Sequence, residues 1–133
     1  MYKLLEFDIK GDKTGSLVSL EQNKNIPFDI KRVYYIFNTK EQVRRGFHAH
    51  KNLQQVIIAT SGSCKIAIDN GEKKEVMSLS TPNIGLLLQD VVWREMYDFS
   101  NDCVLMVLAD NHYDEDDYIR NYKLFKNLVD TIR

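Results

Sequence analysis

The segment of this sequence best suited to catalysis or metal binding contains two histidines flanked by cationic residues: Arg45-Gly46-Phe47-His48-Ala49-His50-Lys51. His48 and His50 stand two residues apart, so on a β-strand their side chains point to the same face. Imidazole titrates near neutral pH and is also a common metal ligand. With Arg45 close by, the pair therefore indicates either a metal site or a site of proton transfer.

A metal site would need further ligands after the two histidines. The His-x-His pattern resembles that of metal-binding β-barrels of the cupin type, where a carboxylate follows and a third histidine comes late in the barrel. Here Gln54 or Gln55 stands where the carboxylate is expected, and Arg94 replaces the third histidine. Arginine keeps its proton in proteins and cannot ligate a cation. We therefore expect no metal and no other cofactor.

Acid–base chemistry is the alternative, because a histidine both takes and gives a proton at cellular pH. Arg45 and Arg94 would hold an anion or stabilise a developing enolate oxygen. Tyr34 and Tyr35 add hydroxyl groups from a neighbouring strand, and alternation turns one of them inward. Spacing alone leaves a third interpretation open, in which the histidines lie on the surface of an edge strand.

Short strand-like segments separated by turn signals must position these residues: 16–20, 31–37, 54–60, 64–68, 74–79, 85–88, 91–96 and 103–109. Many short strands with frequent turns predict an all-β sandwich or barrel. Beyond Asp114 the apolar spacing is helical, and the acidic residues 114–117 suit the first turn of a helix. We predict one domain over 1–133, a cupin-type β-barrel (jelly roll) over about 1–112 and a C-terminal α-helix over about 114–132.

The composition is that of an ordinary globular protein and excludes several classes. Of 133 residues, 44% are hydrophobic, and 18 Lys+Arg against 19 Asp+Glu give a formal charge of -1. This balance argues against nucleic acid as a partner. The apolar runs are too short to span a membrane. Cys64 and Cys103 lie within apolar strand-like segments, which predicts reduced core cysteines and a cytoplasmic protein.

Several motifs together resemble the dTDP-4-keto-6-deoxyglucose 3,4-ketoisomerases, a cupin subgroup, over nearly the whole chain. The motifs are Gly15-Ser16-Leu17-Val18-Ser19-Leu20-Glu21, Ile26-Pro27-Phe28, Lys31 to Phe37, Arg45 to Lys51, Gly62-Ser63-Cys64, Trp93-Arg94-Glu95-Met96 and Asp117-Tyr118-Ile119-Arg120. Arg45-Gly46-Phe47-His48 is also similar to the Arg-Gly-aliphatic-His of the deoxysugar nucleotide epimerases. There the histidine is the base and the arginine contacts the substrate.

The resemblance implies a reaction on a dTDP-linked 4-keto-6-deoxyhexose. A base removes the proton on C3, an enediol spans C3 and C4, and reprotonation at C4 leaves the ketone at C3. The electrons never leave the sugar, so the reaction requires neither metal nor redox cofactor. His48 is then expected to move the carbon-bound proton. His50, with the hydroxyl of Tyr34, is expected to handle the proton on oxygen.

The resemblance also implies contacts with the nucleotide. Arg45, with Arg32 or Lys51, would meet the pyrophosphate. Arg32 and Tyr34 share a face of their strand and Tyr35 takes the other. The remaining candidate substrate-binding residues are Gln55, Tyr35, Arg94 and Thr14.

Arg94 and Thr14 bear on the configuration of the product at C4. Arg94 is similar to the family members that form the gluco product, whereas Thr14 matches neither pattern. We expect dTDP-3-keto-6-deoxyglucose, for 3-amino-3,6-dideoxy sugars of surface glycans such as the lipopolysaccharide O-antigen. The family implies a homodimer, and the N-terminal strands would be free to pair with a partner's sheet edge.

Three other functions remain open from the sequence. A 3,5-epimerase acting on the same substrate would use a similar base. A non-catalytic cupin would bind the sugar nucleotide without turning it over. A metal-dependent dioxygenase would need the ligands that Gln55 and Arg94 replace.

Overall fold

Antiparallel strands make up most of the chain. The computed structural model describes residues 1–132, within which the elements are β1 (Lys3–Glu6), β2 (Lys10–Asp12), β3 (Gly15–Leu17), β4 (Arg32–Ile36), β5 (Arg45–His50), β6 (Gln55–Ser61), β7 (Cys64–Asp69), β8 (Lys74–Leu79), β9 (Ile84–Leu88), β10 (Trp93–Tyr97), β11 (Val104–Ala109), a 3₁₀ turn (Glu115–Asp117), β12 (Tyr118–Ile119) and α1 (Tyr122–Ile132).

The strands form two five-stranded sheets and one small ribbon. The first sheet has the order β1-β9-β6-β11-β4, and the second has the order β12-β5-β10-β7-β8. β2 and β3 pair only with each other. Neighbouring strands run antiparallel throughout both sheets. This architecture confirms the predicted all-β barrel with a C-terminal helix.

Alternation along β6 shows how the sheets bury their side chains. Ile57 and Ala59 join the cluster between the two sheets, together with Ile66 of β7 and Leu105 of β11. Val56, from the other face of β6, joins a second cluster beneath the N-terminal segment. Because both faces of β6 are buried, residues 56–59 form a continuous apolar run instead of alternating with polar residues.

The helix α1 covers the outer face of the second sheet. Its buried residues are Phe125 and Val129, which pack with Trp93 of β10, Ala49 of β5 and Ile119 of β12. Ala49 and Trp93 belong to the strands that carry the histidines and Arg94 on their other face. The helix therefore fixes the outer side of the wall whose inner side carries the predicted site.

The predicted helix start at Asp114 is wrong. The Asp114 side chain accepts a hydrogen bond from the backbone N–H of Asp116 at 3.0 Å, but this caps only the short 3₁₀ turn. Tyr118 and Ile119 then pair with β5, which requires extended backbone. The helix begins at Tyr122, where the Asn121 side chain accepts from the backbone N–H of Leu124 at 3.1 Å.

Cys64 and Cys103 are buried free thiols, as the sequence predicted. Burial raises the pKa of Cys64 to about 12, so this thiol is protonated at neutral pH. Within residues 1–132 no helix has the length and apolar character needed to cross a membrane.

Candidate active site

A β-bulge in β5 brings Arg45 and His48 to the same pocket. Arg94 of β10 faces His48, whereas Glu95 faces Gly46, so Phe47 is an extra residue in β5. Gly46 and Phe47 both have positive φ, at 96° and 56°. A Cβ on Gly46 would lie 2.8 Å from the carbonyl oxygen of Arg94, which explains the glycine. Because the bulge resets the alternation, residues three apart share one face.

The two histidines share a face, as their spacing predicted. Their ring centroids lie 5.0 Å apart with an interplanar angle of 84°. The ring of Tyr118 packs against both, 5.1 Å from His48 and 4.3 Å from His50. His50 is buried and His48 is half-buried, so the histidines do not form a surface pair on an open edge.

Each histidine uses Nδ1 as a hydrogen-bond donor. His48 Nδ1 lies 3.1 Å from the carbonyl oxygen of Gly46, and His50 Nδ1 lies 3.0 Å from Asp117 Oδ2. A carbonyl or a carboxylate only accepts, so the proton of each neutral ring is on Nδ1 and the lone pair is on Nε2. His50 Nε2 is buried without a hydrogen-bond partner among the described residues.

The electrostatics of the site keep both rings neutral at neutral pH. Burial, followed by the charge of Arg94, lowers the pKa of His48 to about 4. The same two causes, in the same order, lower the pKa of His50 to about 2. Two unprotonated imidazoles beside a fixed cation are suited to accept protons as general bases.

Arg94 is buried at 2% exposure, and within residues 1–132 its hydrogen-bond partners are neutral. Its Nη1 donates to Gln55 Oε1, its Nη2 donates to the carbonyl of Val92 at 3.2 Å, and its Nε has no partner in the described part of the chain. Burial lowers the pKa of Arg94 to about 10, so it remains charged at neutral pH. A buried cation of this kind favours an anion in the adjoining space.

Gln55 links Arg94 to Tyr34. Because Gln55 Oε1 accepts from Arg94, its amide nitrogen faces Tyr34 and donates to the phenol oxygen at 3.1 Å. Burial raises the pKa of Tyr34, which keeps the hydroxyl protonated. Its proton is therefore available to a further acceptor.

The pocket has a volume of about 280 Å³ and is open to solvent on one side. Its lining comprises Arg32, Tyr34, Ile36, Arg45, Gly46, His48, Met96, Tyr118 and Arg120. Arg32 lies 5.2 Å from the centroid of the Tyr34 ring, on the face predicted by alternation. Three arginines therefore line one small pocket, which suits an anionic ligand such as a diphosphate.

Six predicted residues are absent from this lining. His50 and Gln55 lie directly behind it, where they contact His48 and Tyr34, and Arg94 bonds Gln55. The other three lie elsewhere. Tyr35 lies on the opposite face of β4, is 65% exposed and contacts Phe37. Lys51 donates to the carbonyl of Asp116 at 3.0 Å and borders a separate groove. Thr14 lies in the exposed turn between β2 and β3, where its hydroxyl bonds Asp12 at 2.5 Å. Within one chain these residues do not reach the histidines.

Asp117, Tyr118 and Arg120 were missed as site residues. They belong to the Asp117-Tyr118-Ile119-Arg120 motif, but the helical interpretation of the acidic run concealed them. The pairing of Tyr118 with His50 brings the motif to the site. The available signal was the motif itself, because Tyr118 and Ile119 also fit the helical spacing.

The side chains do not fit a catalytic metal. Among residues 1–132 no three His, Cys, Asp or Glu side chains are grouped to hold an ion. The guanidinium of Arg94 bonds Gln55, at the two positions where the metal pattern needs a histidine and a carboxylate. A buried cation here opposes the binding of another.

The fold and site together place this chain in the cupin-like class of sugar isomerases and epimerases. The family model FdtA (WxcM-like, C-terminal) matches residues 1–130, and the chain belongs to this family. A TDP-4-oxo-6-deoxy-alpha-D-glucose-3,4-oxoisomerase from Aneurinibacillus thermoaerophilus is 53% identical over 127 residues, which cover 96% of this chain and 91% of that protein.

Solved structures agree with the sequence match. The 3,4-ketoisomerase QdtA from Thermoanaerobacterium thermosaccharolyticum, in complex with TDP, is 44% identical with a TM-score of 0.96 and covers 98% of this chain and 96% of that chain. The TDP-quinovose 3,4-ketoisomerase WlaRB from Campylobacter jejuni is 49% identical with a TM-score of 0.91, covering 95% and 97%. A dTDP-4-dehydrorhamnose 3,5-epimerase from Bacillus anthracis, at 18% identity and TM-score 0.76 over 88% and 76%, shares the fold alone.

Proposed function

We propose that this protein converts dTDP-4-keto-6-deoxyglucose to dTDP-3-keto-6-deoxyglucose by proton transfer through an enediol. The chain is an isomerase, as its family membership and its 53% identical relative establish. The observation that carries the proposed chemistry is a pair of neutral imidazoles beside a buried arginine that has no anionic hydrogen-bond partner.

His48 would move the carbon-bound proton. Its Nε2 accepts the proton from C3, and the electron pair of the C3–H bond moves toward the C4 carbonyl oxygen. The resulting imidazolium returns a proton to C4. General acid–base catalysis of this kind is worth ~10²–10⁴-fold. Negative charge on the sugar oxygen develops beside Arg94, whose charge stabilises it without reorganisation of solvent.

His50 and Tyr34 would move the proton on oxygen. The net change requires one proton to leave O3 and one to reach O4, so an acceptor and a donor are both needed. His50 Nε2 has the free lone pair, and the Tyr34 hydroxyl has a free proton because Gln55 donates to its oxygen. No electrons leave the sugar. The proton that His50 gains equals the one that Tyr34 gives up, so transfer from His50 to Tyr34 through solvent restores both groups without a co-reactant.

The nucleotide would lie along the arginine-lined side of the pocket. Arg32 and Arg45 were expected there, and Arg120 is added by the structure. Paired guanidinium groups bind a diphosphate through charge-assisted hydrogen bonds. QdtA crystallises with TDP, and a variant of it with TDP-4-keto-6-deoxyglucose, which supports a dTDP-linked substrate for this chain.

The gluco configuration of the product is supported by Arg94 and by the identity to WlaRB, whose sugar, quinovose, is 6-deoxyglucose. A ketone at C3 is the group that an aminotransferase converts to an amine. We therefore place the product in the synthesis of dTDP-linked 3-amino-3,6-dideoxy sugars for surface glycans such as the O-antigen. The free buried thiols suit a reducing cytoplasm.

A homodimer is supported by two unpaired features. The ribbon β2–β3 is exposed and pairs with no other strand, and β4 is an edge of the first sheet. The outer face of β4 and the residue after it expose three large side chains, Val33, Tyr35 and Phe37. An exposed apolar edge of this kind is suited to strand pairing with a second copy. Light scattering after size exclusion would test it, and a monomeric mass would contradict it.

Incubation with dTDP-4-keto-6-deoxyglucose in D₂O, followed by NMR, tests the reaction. We expect a 3-keto product with a gluco configuration, with solvent deuterium at C4 of the product and at C3 of the remaining substrate. Deuterium at C5 would indicate a 3,5-epimerase, and a galacto signal would contradict the stereochemical assignment. Absence of turnover with retained dTDP binding would leave a non-catalytic cupin.

A further inference from the structure

We infer that Asp117 is a positioning residue that fixes the tautomer of His50, leaving Nε2 as the proton acceptor of that ring. The inference rests on the proposed function for its catalytic consequence. Its structural content, a carboxylate bonded to Nδ1 of a buried imidazole at 3.0 Å, is independent of the substrate.

Asp117 is held in place at several points. Its Oδ1 accepts from the backbone N–H of Asn52 at 2.7 Å while its Oδ2 accepts from His50. Its backbone carbonyl accepts from the N–H of Lys51 at 3.0 Å, and its N–H donates to the carbonyl of Asp114 at 3.1 Å. Both carboxylate oxygens are thus used by residues at or just after the end of β5, so the carboxylate cannot turn away without breaking two bonds.

The arrangement decides which nitrogen of His50 is protonated. Both Asp117 oxygens only accept, so Nδ1 must donate and Nε2 must be bare. His50 Nε2 is also buried without a partner, whereas an Nε2–H tautomer would leave a buried donor unpaired and set a lone pair against a carboxylate. The alternative tautomer is therefore disfavoured on both sides of the ring.

The two histidines differ in what supports Nδ1. His48 donates to a neutral carbonyl, whereas His50 donates to an anion. When a ring becomes an imidazolium, a carboxylate stabilises the charge more than a carbonyl does. The cations near His50 are Arg94, Arg32 and Arg120, which oppose its protonation. Asp117 supplies the compensating charge at the moment when His50 accepts a proton.

The Asp117→Asn variant tests this role. An asparagine accepts through one oxygen only. The backbone N–H of Asn52 can only donate, whereas His50 can present a lone pair, so the oxygen faces Asn52 and the NH₂ group faces Nδ1 of His50. We expect His50 to move to the Nε2–H tautomer, seen in the ¹⁵N shifts of the imidazole, and kcat to fall by ~10²–10⁴-fold with KM within a few-fold. The matched control is Asp116→Asn, because Asp116 forms its hydrogen bonds with other described residues through its backbone, and we expect this variant to keep both properties.

Each outcome is decisive. A fall in kcat with an unchanged tautomer would overturn the inference that Asp117 fixes the tautomer of His50, and so would an unchanged kcat in Asp117→Asn. Should that variant fail to fold, the ¹⁵N shifts of His50 in the unmodified protein decide, and an Nε2–H ring there overturns it. If the unmodified protein does not convert the sugar nucleotide, the proposed function fails, while the tautomer measurement still tests the geometry.

Discussion

The two ends of the barrel interior are built from the same strands but contain different side chains, apolar at one end and polar or charged at the other. On β6 the inward residues change from Gln55 to Ile57 and Ala59, and on β10 Met96 follows Arg94 and borders both the apolar cluster and the pocket. The apolar end consists of aliphatic and aromatic side chains and the thiols of Cys64 and Cys103. The other end contains a buried guanidinium with neutral partners and two neutral imidazoles. We infer that the apolar end contributes most of the stability, and that the polar end is where the proposed catalysis takes place, at some cost in stability.

The largest effect is expected at the polar end, in the His48→Asn variant. Asparagine cannot carry the proton between C3 and C4, so kcat should fall by ~10²–10⁴-fold. Binding of dTDP, measured by calorimetry, should persist because the arginines remain. The control is His112→Asn, since His112 is exposed and lies outside the pocket. Normal turnover in His48→Asn would remove the proposed mechanism.

Ile66→Ala probes the apolar end. Ile66 has no exposed surface and packs within the cluster between the sheets. Removing its side chain leaves a cavity, and the free energy of unfolding should fall by about 2–5 kcal/mol. We expect kcat below the unfolding range to stay within a few-fold. Urea denaturation measures the change, with Val76→Ala on the exposed face of β8 as control. A loss of kcat as large as that of His48→Asn would contradict the assignment of stability to the apolar end and of catalysis to the polar end.

The sequence predicts the barrel because its signals are local. Alternation put Arg32 with Tyr34 and His48 with His50, and both pairs share a face. The short strands β1 and β2 lack such a signal. Lys3–Glu6 has two adjacent leucines without alternation, and its pairing with β9 is a long-range contact.

The site is less predictable because its parts meet through tertiary contacts. Asp117 reaches His50 across 67 residues through the pairing of β12 with β5. In the sequence the same aspartate is one of four acidic residues, for which a helix start is a sufficient local explanation. The bulge at Phe47 is equally hidden, since regular alternation would separate Arg45 from His48.

The Arg94→Met variant tests whether the positive charge at the polar end is needed for turnover and for the low pKa of His48. Methionine fills much of the same volume without the cation. We expect kcat to fall by ~10²–10³-fold, because the enediolate loses its stabilising charge. The pKa of His48 should rise from about 4, since Arg94 is the second cause of its depression after burial.

An NMR titration of His48 measures that pKa, and the control is Arg44→Met, whose guanidinium bonds Glu95 at 2.6 Å. The free energy of unfolding should hold or increase in Arg94→Met, because a buried cation with neutral partners is removed. An unchanged His48 pKa would show that burial alone sets it.

The smallest effect is a loss of stability at mildly acidic pH, caused by the polar end alone. The pKa values of His48 and His50 are about 4 and about 2 in the folded protein, below the ordinary value of 6.5. Between those values and 6.5 the unfolded chain binds more protons than the folded one, so stability rises with pH. The contribution is complete above pH 6.5 and is lost as pH falls below 6.5, down to about 4 for His48 and about 2 for His50.

Between pH 7.5 and 5 each histidine should therefore lower the free energy of unfolding by ~2 kcal/mol, since one pKa unit corresponds to about 1.4 kcal/mol. Urea denaturation at the two pH values measures the difference. Replacing both histidines with asparagine should flatten the dependence, whereas Ile66→Ala should lower stability equally at both. An acid-induced loss that persists in the double variant would assign it to other groups. The pH dependence of the free energy of unfolding thereby distinguishes the two ends of the barrel, because the histidines that titrate between pH 7.5 and 5 lie at the polar end.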